Sequence, residues 1–333
     1  MVIDMHTHMV PAEFPDMSYR TGDNRWPQMA SKDRDAKVVL IEGKPFRTIT
    51  ASSWDADVRL ADMDAEGVGA QVISPMPVLL SYWFEPKDTL EFGKFINTAI
   101  AELVEKDKTR FYGLGMVPLQ DPKLAAKEVR AIKEEYGLLG VEIGSNVNGR
   151  VIGDSYFWPF FEAAAAERVA ILIHPLQPVG ADRIVGPKAL QNLINFPLET
   201  ALAAASLITG GVLERFPDLR IAVSHGGGSL FSVLPRLMRG LTAFEDVKAL
   251  FSHAPTELAR RLYYDTLVYD ELNLNHIIDL FGSDRLMVGS DYPFAIREYE
   301  PGHALVKLAL ADEERQRIQH KNCLSFLGLN GVK

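Results

Sequence analysis

Val2-Ile3-Asp4-Met5-His6-Thr7-His8 is a short apolar run that ends in two histidines separated by one residue. In a β-strand the side chains at i and i+2 share a face, so His6 and His8 point together at the strand's C-terminal end. Two adjacent imidazoles there suit a divalent transition metal. The pair needs further ligands from elsewhere in the chain to become a metal site.

Outward from this run, seven more segments read as strands: 70–74, 111–117, 140–144, 169–174, 219–225, 262–266 and 285–291. Most are continuous apolar runs, as expected when both faces of a parallel sheet are covered. Helices are expected between them. From 55 to 67, Val58, Leu60, Ala61 and Met63 form an apolar stripe; from 89 to 106, Leu90, Phe92, Phe95, Ile96 and Ile100 do so. Further helices are expected at 122–135, 158–167, 198–215, 230–241, 255–259, 272–281 and 312–327. Eight strands alternating with helices predict a (β/α)8 TIM barrel, one domain over residues 1–333. A doubly wound sheet is the alternative, but neither G-x-G-x-x-G after the first strand nor a P-loop is present.

After His8 a stretch of about 9–50 has no place in the barrel. It holds Pro11, Pro15, Gly22 and Pro27, then a hairpin of 37–41 with 45–49 turning at Glu42-Gly43-Lys44. Its length marks an inserted cap.

His6 and His8 end strand one, His174 ends strand five, His225 ends strand six and Asp291 ends strand eight. In a barrel these ends meet at one rim, where the active site is built. Imidazoles with one carboxylate suit Zn²⁺, although such mixed sites accept other divalent ions. A metal lowers the pKa of its water, and a nearby base then helps to move the proton. His6, His8, His174 and Asp291 are assigned as ligands and His225 as the proton-transfer residue. Spacing alone does not separate the roles of His174 and His225. Glu142 is a carboxylate within strand four without an assigned task, and Asp265 at the end of strand seven is expected to support the ligands. His253, His276, His303 and His320 fall on helices or loops and are left out of the site.

With 35 basic and 44 acidic residues the net charge is −9, which argues against a nucleic-acid partner. No stretch reads as a membrane span or targeting segment. Cys323 is the only cysteine, which fits a reducing cytoplasm.

Asp4-Met5-His6-Thr7-His8, His174-Pro175, Ser224-His225-Gly226-Gly227-Gly228-Ser229 and Gly289-Ser290-Asp291-Tyr292-Pro293-Phe294 together resemble the metal-dependent amidohydrolase superfamily. More narrowly they resemble its decarboxylase branch, typified by 2-amino-3-carboxymuconate-6-semialdehyde decarboxylase. The likeness extends through Pro45-Phe46-Arg47 and the segments 77–83, 117–120, 140–144, 196–200 and 210–217. It implies zinc-dependent, oxygen-independent release of CO2 from a carboxymuconate semialdehyde or a related unsaturated or aromatic acid. It implies zinc on His6, His8, His174 and Asp291, and His225 activating the metal's water. It also implies Arg47 on a substrate carboxylate, and a homodimer in which Arg236 reaches the neighbouring subunit's site. An ortho-hydroxy aromatic or hydroxypicolinic acid is the alternative substrate. Hydrolysis of a lactone or amide is the alternative reaction, and a non-catalytic metal-binding protein the third reading. After His-Pro the semialdehyde group commonly carries Trp-Asp; here Leu176-Gln177 follows, and the loop Val179 to Lys188 differs as well. Dihydroxybenzoate relatives often carry Glu in place of the first histidine, so His6 is closer to the semialdehyde group.

Overall fold

The computed structural model describes residues 1–33 and 36–329. Eight parallel strands form one sheet: β1 (Val2–Met9), β2 (Val68–Pro75), β3 (Phe111–Gly115), β4 (Gly140–Gly144), β5 (Ala170–His174), β6 (Arg220–Val223), β7 (Tyr263–Asp265) and β8 (Leu286–Met287). They lie side by side in sequence order. Met5 N donates to Val288 O (2.8 Å) and His8 N to Tyr292 O (2.7 Å), which joins the first strand to the chain beyond the last. The result is a (β/α)8 barrel.

Two apolar layers hold it. Met5, Val72, Leu114, Leu172, Ala222 and Met287 fill the interior, and Phe326 and Leu327 of the C-terminal helix join that cluster. A larger layer lies between strands and helices, with Phe92, Ile96, Ile100 and Leu103 at helical spacing along Pro86–Lys106. Phe95, expected on that face, is exposed, because its position turns it away from the stripe set by Phe92 and Ile96. The helix Ala56–Glu66 departs further from its pattern. Val58 is exposed, while Arg59 is fully buried beside Met63. Arg59 donates to the carbonyls of His8 (2.9 Å) and Ser52 (3.0 Å), to Thr7 Oγ1 (3.0 Å) and to Gln71 Oε1 (3.1 Å). Those acceptors offset the cost of burying its charge.

Strand one is not a simple alternation. Asp4 pairs with Gln71 and Thr7 with Ile73, so β1 carries one residue more than β2 between these pairs. This bulge leaves Met5 in the interior layer and still brings His6 to the mouth with His8. Strand eight is shorter than expected, ending at Met287. Beyond it Ser290 donates through N (3.0 Å) and Oγ (2.5 Å) to Asp4, and its carbonyl accepts from Glu298 N (2.9 Å). These local bonds draw the backbone out of the ladder before Asp291. Gly289 is required on the way, since a Cβ there would lie 2.9 Å from His6 Cβ and 2.8 Å from Asp265 Cβ.

The segment after β1 forms an antiparallel sheet of Gln28–Ser31, Ala36–Ile41 and Lys44–Thr50. The first of these strands was not apparent in the sequence, where its four residues carry no alternation. Trp26, fully buried, stacks on Phe84 at 3.7 Å and contacts Phe92, pinning the cap to the barrel's helical layer. Trp26→Ala removes that anchor and should cost about 3–5 kcal/mol locally. Hydrogen exchange of the cap amides 36–50 should accelerate while β5 and β6 stay protected; equal loss of protection everywhere would deny the cap its separate anchor. Among the described residues no helix is long and apolar enough to cross a membrane.

Candidate metal centre and its cavity

Five side chains reach the C-terminal rim from four places. His6 and His8 come from β1 and His174 from the end of β5; His225 follows β6 and Asp291 follows β8. Ring centroids of His6, His8 and His174 lie 5.0–5.2 Å apart, and His225 is 5.3 Å from His6 and 5.2 Å from His174. The ligand atoms of His6, His174, His225 and Asp291 lie within 4.8 Å of one another. His8 Nε2 is 3.1 Å from both His6 Nε2 and Asp291 Oδ1.

The outer nitrogens decide which lone pairs point inward. His6 Nδ1 is 2.7 Å from Asp265 Oδ2, His8 Nδ1 is 3.1 Å from Pro75 O, and His174 Nδ1 is 2.9 Å from Pro175 O. Carbonyl and carboxylate oxygens accept, so each Nδ1 carries the proton and each Nε2 is free to ligate. Two bare lone pairs 3.1 Å apart repel, so a positive charge belongs between His6 and His8. A proton on His6 meets that contact but leaves His174 Nε2 and Asp291 Oδ1 buried without donors. A divalent cation matches all four atoms. Three imidazoles, each held from behind, and one carboxylate therefore fit a metal ion.

Charge in the metal-free site agrees. Burial works against protonating His6, yet the Asp265 hydrogen bond and the charges of Asp265, Asp291 and Glu142 carry it up to about 9. Burial lowers His8 to about 4, and burial with the neighbouring imidazoles takes His174 well below its ordinary value. Burial pushes Asp291 up, but the His8 hydrogen bond and the surrounding histidines bring it to about 2. One proton stands where a cation's charge would be.

His225 differs from the other three. Among the described residues its Nδ1 has only Ser224 Oγ nearby, at 3.4 Å, and its backbone is left-handed at φ +55°. Asp265 holds that backbone, accepting from His225 N (2.8 Å) and Gly226 N (2.7 Å) while also accepting from His6 Nδ1. Burial lowers the His225 pKa, with the charge of His6 adding to it, so the ring is neutral near pH 7. Asp265 thus ties His6 and the His225 backbone together. Glu142, buried in β4, accepts from Ser74 Oγ (2.5 Å) and lies 3.5 Å from His8 Nδ1. Burial raises it to about 8, so it is protonated at neutral pH.

Above the cluster opens a cavity of about 1250 Å³. Phe46, Trp83, Phe196, Phe231 and Phe294 give it aromatic walls. Phe294 stacks beside His8 at 5.0 Å, and the Arg47 guanidinium lies over the Phe294 ring, 3.9 Å from its centre. Arg47 comes from the cap strand Lys44–Thr50 and has no acidic partner among the described residues. Burial lowers its pKa, and the charge of Asp291 opposes that. Arg25 and Arg297, also on the wall, are each paired, with Asp23 and Glu66. Arg236 is exposed on the helix Leu230–Ala243 and does not line this cavity. His253, His276, His303 and His320 lie outside the cluster. Arg59, which holds the His8 carbonyl, had no sequence signal: an arginine within an apolar stripe reads as a surface charge.

The sequence profile of the amidohydrolase family matches residues 3–329. The chain is 35% identical to 2-amino-3-carboxymuconate-6-semialdehyde decarboxylase of Dictyostelium discoideum, over 99% of this chain and 92% of that protein. Its fold resembles the crystal structure of 5-carboxyvanillate decarboxylase from Sphingomonas paucimobilis, with a TM-score of 0.82 at 23% identity over 98% of each chain. It also resembles a dihydroxybenzoic acid decarboxylase from Polaromonas sp. solved with manganese and 2-nitroresorcinol. There the TM-score is 0.72 at 21% identity, over 99% of this chain and 97% of that one.

Proposed function

The chain belongs to the amidohydrolase family, and from that premise we propose that it is a zinc-dependent, non-oxidative decarboxylase. Its substrate is a carboxymuconate semialdehyde or a related unsaturated or aromatic acid, with ortho-hydroxy aromatic and hydroxypicolinic acids as the alternative. The carrying observation is the convergence of His6, His8, His174 and Asp291 on one point beneath a cavity whose Arg47 lacks an acidic partner among the described residues. Support for the reaction comes from the relatives, which are named decarboxylases of such acids. Zinc is favoured by three imidazoles to one carboxylate, although a relative's structure holds manganese.

When bound, the ion supplies a fixed positive charge that polarises the substrate and acidifies water beside it. Arg47 holds a substrate carboxylate through its planar fork of N–H donors. The aromatic walls fit a flat conjugated carbon frame. His225, neutral at pH 7, accepts a proton drawn from solvent and gives it to the substrate carbon; Asp291 is the second group able to carry it. The bond from the substrate carbon to its carboxyl carbon breaks, the electron pair stays on the substrate carbon, and that proton completes the carbon's valence as CO2 leaves.

Purified, metal-loaded protein should release CO2 from one or more of muconate semialdehyde, hydroxybenzoate and hydroxypicolinate acids. Acid release from lactones without CO2 from any of these would replace this reading with hydrolysis.

The working unit is a homodimer. Ile194, Leu198 and Leu202 recur every fourth residue and are exposed, and Val233 is exposed on the helix packed beside them. Pairing would cover this stripe and carry Arg236 to the partner's cavity. Arg236→Ala and His225→Ala proteins should each be nearly inactive, yet mixing them should restore turnover, because a hybrid dimer contains one complete site. No recovery after demonstrated subunit exchange would remove Arg236 from the neighbouring site. The single buried Cys323 suits the reducing cytoplasm, where we place the protein.

A further inference from the structure

The loop after β5 is anchored on both sides of Gln177-Pro178. Leu176 N donates to Ser145 Oγ (3.1 Å), and Leu176 O accepts from Asn146 Nδ2 (2.7 Å). Val179 N donates to Glu199 Oε2 (2.8 Å), and Val179 O accepts from Asn195 Nδ2 (2.7 Å). Glu199 Oε1 also accepts from Ser145 Oγ (2.9 Å) and Asn146 Nδ2 (2.8 Å). One buried carboxylate thereby joins the chain after β4, the loop after β5 and the helix Phe196–Thr209.

Between the anchors stands Gln177, in the left-handed region at φ +45°. It is exposed, lines the cavity three residues beyond His174, and its side-chain amide has no hydrogen-bond partner among the described residues. A non-glycine residue keeps such a backbone only where its surroundings fix it, which is a recurrent feature of ligand clamps. The free amide offers two donors and an acceptor without charge. Arg47 answers a carboxylate, whereas Gln177 answers a neutral polar group.

We infer that Gln177 is a specificity-determining residue that hydrogen-bonds a hydroxyl, amino or carbonyl substituent of the substrate acid, and that Glu199 is the positioning residue holding it at the cavity. This rests on the decarboxylase reading for the choice of acids, not for the bond that breaks. The aromatic carbons of such an acid lie against the apolar wall, and its polar substituent takes the place of water on the Gln177 amide. Without that amide the substituent loses its partner on entering the cavity, whereas an acid lacking the substituent loses nothing.

The test compares 2-hydroxybenzoate with the dihydroxybenzoate isomers, using metal-loaded wild type, Gln177→Leu and Glu199→Gln. The wild type should prefer at least one dihydroxy isomer. The ratio of kcat/KM for that isomer over 2-hydroxybenzoate should fall about tenfold in Gln177→Leu, the value of one hydrogen bond. Glu199→Gln should lower the same ratio, because its new N–H group opposes donors already aimed at it. General damage to the fold lowers both acids alike and leaves the ratio where it was. An unchanged ratio in Gln177→Leu overturns the inference; a change there but not in a folded Glu199→Gln protein overturns the part given to Glu199. If the wild type releases CO2 from none of these acids, decarboxylation of benzoates fails and calorimetric Kd values for the same acids decide Gln177. An unchanged Kd ratio, or no binding of any of them, overturns it.

Discussion

His174→Ala should bind its metal more than about a hundredfold more weakly and lose turnover with it, since losing even a supporting partner of a ligand costs 10–100-fold. The reason lies in what His174 does without a metal. Its Nδ1 is satisfied by Pro175 O, but its Nε2 is buried and has no partner. The metal-free protein therefore gains no hydrogen bond from that nitrogen, and the variant costs the stripped protein only the packing of the ring and its bond to Pro175 O. The loaded wild type is stabilised by the ion it binds, and that increment should disappear in the variant. Calorimetric titration with zinc and thermal melts of loaded and stripped protein measure both. Unaltered metal affinity would take His174 out of the ligand set and leave its orphaned nitrogen without an explanation.

His225→Ala should do the opposite: keep the metal and lose about 10²–10⁴ in turnover, the usual share of a positioned acid or base. His225 lies as close to the cluster as a ligand does, and its ring nitrogen falls in the same group as those of His6, His174 and Asp291. Its surroundings set it apart. The imidazoles of His6, His8 and His174 are each locked by a carbonyl or carboxylate behind Nδ1, while the firm hold on His225 is on its backbone amide. A ring free to change its hydrogen-bonding suits proton transfer better than ligation. Its lowered pKa keeps the accepting form present at neutral pH, and activity should fall as pH drops through that pKa. Metal analysis of the variant separates the roles, because lost metal would make His225 a ligand.

The catalytic rim was readable from the chain because barrel geometry brings strand ends together. Once eight apolar runs are counted, histidines at the ends of three of them must meet. The supports beneath the rim were not readable. The bulge that turns His6 inward depends on β2, since register exists only between partners. Arg59 looks like a surface charge until its four acceptors are in place around it. Strand eight was overrun by four residues because Val288 extends the apolar run of Leu286 and Met287 toward Asp291, while the bonds from Ser290 to Asp4 that end the ladder link opposite ends of the sequence. Asp265 could be placed near the ligands but not given its double grip on His6 and His225. Gln177 stood out only as a departure from a familiar motif; its left-handed backbone and the Glu199 clamp are three-dimensional facts.

The account stands on a metal held by His6, His8, His174 and Asp291 and required for decarboxylation. Titrating zinc into fully stripped protein while recording CO2 release from its best acid substrate tests this directly. CO2 release should rise in proportion to bound zinc and level off at one ion per chain. Undiminished CO2 release from the stripped protein, or saturation of the site with no CO2 from any acid, would contradict it.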